Sequence, residues 1–133
     1  MGQTYSVCLT AKVKNEKKFV RMSVNYLVGG HVLSCKGEDL TTSIGNIKCV
    51  MAASQEMFDE EPVVDGWSEY RSDFDAGYSW ESIIYEWFQA VAPALEDGSE
   101  IEVYPDSGGW GQRVENGMAV DMEVNASVDD EEE

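Results

Sequence analysis

Residues 4–14 alternate. Tyr5, Val7, Leu9, Ala11 and Val13 fall on one side, and Thr4, Ser6, Thr10, Lys12 and Lys14 on the other. A period of two over this length describes a strand with one buried and one wet face, so the sheet containing it must be covered on one side only.

Asn15-Glu16-Lys17-Lys18 reads as a polar turn, after which Val20, Met22, Val24 and Tyr26 alternate with Arg21, Ser23 and Asn25. This predicts a hairpin, with His31–Cys35 as a short third strand after Gly29-Gly30. Leu40, Ile44, Ile47 and Met51 follow Asp39 at helical spacing, which predicts a helix capped by Asp39. From Ser54 to Gly77 no period holds, and a long loop is expected. A second helix begins after Ser79, with Trp80, Ile83, Ile84, Trp87, Phe88 and Val91 on one stripe, and it stops near Pro93. Glu100–Tyr104 reads as a strand. Trp110–Val114 and Met118–Val124 flank Asn116-Gly117, a hairpin signal; Met118, Val120, Met122 and Val124 are expected to point inward, Asp121 and Glu123 outward. The expected fold is α+β: a mostly antiparallel sheet of about five to six strands, with two helices on one face. Residues 1–128 form a single domain in this reading, and 129–133 a disordered acidic tail.

Charge narrows the function. Nine Lys and Arg stand against 26 Asp and Glu, a formal net charge of -17. Residues 1–50 carry a net +4 and residues 51–133 a net -21, of which the terminal Asp129–Glu133 run supplies five charges. Between Glu56 and Asp106 there are 15 acids against Arg71 alone. So acidic a chain is not expected to bind nucleic acid directly, since neutralising phosphates takes Lys and Arg. The lack of a long apolar run and of a basic-then-apolar start argues against a membrane span or secretion signal. Cys8, Cys35 and Cys49, odd in number and widely spaced, suggest reduced thiols in a cytoplasmic protein.

No catalytic pattern emerges. His31 is the only histidine and sits after a double glycine, where a turn or strand-end role is expected. Asp73-Phe74-Asp75-Ala76-Gly77 resembles the opening of a calcium loop, but its Gly falls one place early. The cluster Asp59, Glu60, Glu61 and Asp65 suggests at most weak divalent binding, so no metal site, cofactor or enzymatic activity is expected.

What remains is acidity threaded with aromatics, eight of the chain's 14 lying between Trp67 and Phe88. Trp and Tyr anchor protein interfaces, and charge steers encounter with an oppositely charged partner. The expected function is therefore a non-enzymatic inhibitor that occludes a basic nucleic-acid-binding surface. The mechanism is analogous to that of phage and mobile-element proteins that mimic nucleic acid against restriction and CRISPR nucleases, although no motif matches a particular family. Asp59, Glu60, Glu61, Asp65, Glu69, Asp73 and Asp75 are the expected phosphate-like charges, with Trp67 and Tyr70 as apolar anchors. Glu100, Glu102, Asp121 and Glu123 would extend the face. Two alternatives share the composition: an immunity-type protein neutralising a basic toxin nuclease, and an acidic adaptor that self-associates into a homo-oligomer.

Overall fold

A computed structural model describes residues 2–29, 40–51 and 58–124. The alternating segment is the strand β1, Gly2–Ala11, and it lies inside a six-stranded sheet. The other strands are β2 (Phe58–Pro62), β3 (Ser68–Gly77), β4 (Glu100–Tyr104), β5 (Trp110–Glu115) and β6 (Met118–Met122). Their order across the sheet is β2-β3-β1-β4-β5-β6, and every neighbouring pair is antiparallel. Among the described residues three α-helices accompany it: α1 (Glu16–Gly29), α2 (Ser43–Met51) and α3 (Trp80–Val91). The α+β class holds, with one helix more than expected.

The additional helix corrects the N-terminal hairpin. Asn15, read as part of a turn, is a cap: its Oδ1 accepts from the Lys18 amide at 3.0 Å, and its carbonyl from the Phe19 amide at 2.9 Å. Phe19, Ser23 and Leu27, four residues apart, form the buried stripe of α1. The alternation of Val20, Met22, Val24 and Tyr26 was a coincidence of composition. The expected strand His31–Cys35 and the expected cap Asp39 lie outside the described residues; Thr42 caps α2 instead, its Oγ1 accepting from the Gly45 amide at 3.1 Å.

The expected loop is likewise corrected, since its described part is the β2–β3 hairpin. Asp65 (φ 53) and Gly66 (φ 86) turn the chain, so Asp65-Gly66 does for this hairpin what Asn116-Gly117 (φ 55 and 77) does for β5–β6. In the latter turn both amides donate to the Asp97 carboxylate, at 2.9 and 3.2 Å.

Tyr5, Val7, Leu9 and Ala11 meet the helices across a core that includes Phe19, Ile47, Ile84, Trp87, Phe88, Ile101 and Val103. Trp87 ties the helices together through buried polar groups. Its indole N–H donates to Ser23 Oγ, whose hydroxyl donates to Asn46 Oδ1, both at 2.8 Å, and Asn46 Nδ2 donates to the Thr42 carbonyl at 2.8 Å. One residue from each helix thus satisfies the next.

The faces of β6 are the reverse of the expected ones. Ala119 pairs with the buried Val114, and Asp121 with the buried Gln112, so these two turn toward the helices. Met118, Val120 and Met122 share the other face, and Met118 is well exposed. The two-residue turn sets this register, and an edge strand lacks the burial that would otherwise forbid it. Cys49 is disulfide-bonded, which corrects the expectation of reduced thiols; Cys8 is free. Among the described residues no helix is long and apolar enough to cross a membrane.

Candidate functional site: the open face of the sheet

All three helices lie on the side of Tyr5, Val7 and Leu9, so alternate residues of each strand face away from them. Following the register across the sheet places Asp59 and Glu61 of β2, Glu69, Asp73 and Asp75 of β3, Glu100 and Glu102 of β4, and Glu115 of β5 on that open face. Arg71 and Arg113 are the strand cations among them. Both are engaged within the molecule, Arg71 with Glu69 and Arg113 with Glu100, each at 3.3 Å.

Hydroxyls of the same or a neighbouring strand hold several of these carboxylates in place. Thr4 Oγ1 donates to Asp75 at 2.7 Å, Ser6 Oγ donates to Asp73, and Tyr104 Oη donates to Glu102 at 2.8 Å. The Cys8 thiol donates to Glu69 at 3.6 Å. Between β3, β1 and β4 runs a depression of about 320 Å³, lined by Ser6, Cys8, Arg71, Asp73, Glu102 and Tyr104 among others.

Titratable groups register the negative potential. Cys8 is pushed up to about 11, first by burial and then by Glu69. Tyr104 is pushed up to about 12 by burial and by Glu102, whose carboxylate favours the protonated phenol. A thiol so raised is protonated at neutral pH and is a poor nucleophile.

The expected site residues divide by their place in the sheet. Asp59, Glu61, Glu69, Asp73, Asp75, Glu100 and Glu102 come together on the open face. Glu60 does not: it pairs with Tyr70 on the helix side of the edge strand. Asp65 is at the β2–β3 turn, and Asp121 faces α3. Glu123 is exposed just beyond β6. Of the two expected anchors, Tyr70 is corrected. Tyr70 is only 7% exposed and packs on Phe58, ring centroids 6.0 Å apart. Trp67 is half-buried at the end of the sheet beside Gly98. Tyr70 holds an inward position of β3, and an aromatic there is core whatever the charge of its neighbours.

Sequence reasoning missed Thr4, Ser6 and Tyr104. For Thr4 and Ser6 the signal was present, since hydroxyls at wet positions of β1 invite cross-strand bonds to acids opposite. The calcium-like segment is strand, with Phe74 inward and Asp73 and Asp75 outward. Among the described residues no group of three or more His, Cys, Asp or Glu is arranged to hold a metal ion. No family model, curated protein or solved structure matches the chain.

Proposed function

We propose that the protein is a non-enzymatic inhibitor whose open sheet face occludes the basic nucleic-acid-binding surface of a nuclease or other defence protein. The observation that carries this reading is the register: four strands contribute eight carboxylates to one face, and its two arginines are already paired. Pleated strands space same-face side chains about 4.8 Å across and roughly 6.7 Å along the sheet, a charge lattice dense enough to compete with phosphates for a basic groove. Hydroxyls donated by Thr4, Ser6 and Tyr104 fix part of that lattice before binding, so less side-chain entropy is lost on association.

The test is a pull-down at low salt with the full chain as bait, followed by a salt gradient and, separately, by added duplex DNA. A basic nucleic-acid enzyme should be retained, leave at moderate salt and be displaced by DNA. Retention through high salt, or a stable ternary complex with DNA, would contradict occlusion.

A second reading, self-association, is favoured by one feature. Lys14, Lys17 and Arg21 are exposed at the start of α1, with no ion pair among the described residues, and offer a cationic end to another copy's acidic face. A salt-sensitive dimer in sedimentation supports it; a monomer at every ionic strength removes it.

A further inference from the structure

On the helix side of the sheet, α3 and the β5–β6 hairpin enclose a groove of about 380 Å³. Tyr85 and Trp110 form an aromatic corner in it, ring centroids 5.5 Å apart and planes at 71°. Three carboxylates surround that corner: Glu81, Glu86 and Asp121. Each is held by a donor of this chain. The Trp110 indole donates to Glu81, Tyr26 Oη donates to Glu86 at 3.0 Å, and Gln112 Nε2 donates to Asp121 at 3.1 Å. Gln112 is almost fully buried, and its Oε1 has no hydrogen-bond partner among the described residues. Among the described residues no Lys or Arg lines the groove.

An aromatic corner ringed by acids complements a delocalised cation with apolar faces. A guanidinium stacks on aromatic rings while its edges donate to carboxylates, and it is more weakly hydrated than an ammonium. We propose that this groove binds a single arginine side chain of a basic polypeptide segment. The site is separate from the open sheet face and does not rest on the occlusion reading. Consistent with a negative potential there, Tyr26 is pushed up to about 12 by burial and by its bond to Glu86.

The probe is the peptide acetyl-Gly-Ser-Arg-Gly-Ser-amide, titrated into the ¹⁵N-labelled full chain, with the citrulline peptide as its uncharged isostere. The arginine peptide should shift the Trp110 indole resonance saturably, and Glu81→Gln with Asp121→Asn should weaken it by about tenfold, as loss of charge-assisted bonds implies. Glu81→Gln keeps an acceptor for the Trp110 indole, and Tyr85→Leu, which removes one ring without emptying the wall, should also weaken binding. Glu60→Gln with Asp65→Asn, at the opposite edge of the sheet, should leave the affinity unchanged. Equal binding of the citrulline peptide, full affinity in the groove variants, shifts confined to the open face, or no shift would each overturn the proposal.

Discussion

The two faces of one sheet are built from the same strands by alternate residues, yet they obey opposite rules. On the helix side, Val7, Leu9, Ile101 and Val103 are buried, and the polar chain Trp87–Ser23–Asn46 is satisfied internally. On the open side, like charges crowd together, and among the described residues two ion pairs relieve them. Repulsion of this kind opposes folding. The covered face therefore holds the molecule together, while the open face carries a charge pattern that folding alone does not require.

The sharpest way to break that comparison is to cut into the covered face. Trp87→Ala removes the fully buried indole at the junction of the helices and should cost about 3–5 kcal/mol in urea unfolding. A loss below 1 kcal/mol would mean that the helices do not depend on this junction. Ser23→Ala is subtler, because it leaves the Trp87 N–H and Asn46 Oδ1 without their bonds; about 1–3 kcal/mol should be lost.

The open face should respond with the opposite sign. Asp73→Asn with Asp75→Asn should raise the urea midpoint slightly at low ionic strength, and the gain should shrink as salt screens the face. A clear destabilisation would show that the hydroxyl–carboxylate bonds outweigh the repulsion.

Cys8 reports on the same face without mutation. With its pKa near 11, against 9.0 for the reference thiol, it should alkylate about tenfold more slowly at pH 8, the scarcity of thiolate being partly offset by its greater nucleophilicity. Its rate should climb toward pH 11. Glu69→Gln should speed the reaction at pH 8, as followed by mass spectrometry of the Cys8 peptide; an unchanged rate would leave burial as the whole cause.

Legibility of the sequence followed the same division between faces. Strand β1 and helix α3 were readable because their buried positions are apolar almost throughout. Helix α1 was not, because its stripe passes through Ser23, a polar residue buried for its hydrogen bonds. Strand β3 was hidden for a similar reason. Its inward positions are Ser68, Tyr70, Ser72, Phe74 and Ala76, and a hydropathy pattern does not register two serines as core. The charges Glu69, Arg71, Asp73 and Asp75, falling at every second residue, mark the strand better than its apolar residues do. Asp59, Glu61 and the β3 acids could be named as candidates from composition. That they share a face with Glu100 and Glu102 could not, because strands β3 and β4 meet only through β1. The reversal of β6 shows the limit of alternation at an edge, where either face is tolerated.

The most direct test of the open face as the binding surface compares the full chain with a variant carrying Asp73→Asn, Asp75→Asn and Glu102→Gln. Affinity for the basic protein retained in the pull-down would be measured across a salt series. The variant should bind more weakly at low salt and show a shallower dependence on salt, because fewer ions are released from the partner's surface. Equal affinity and an equal slope for the two proteins would contradict the assignment of binding to this face.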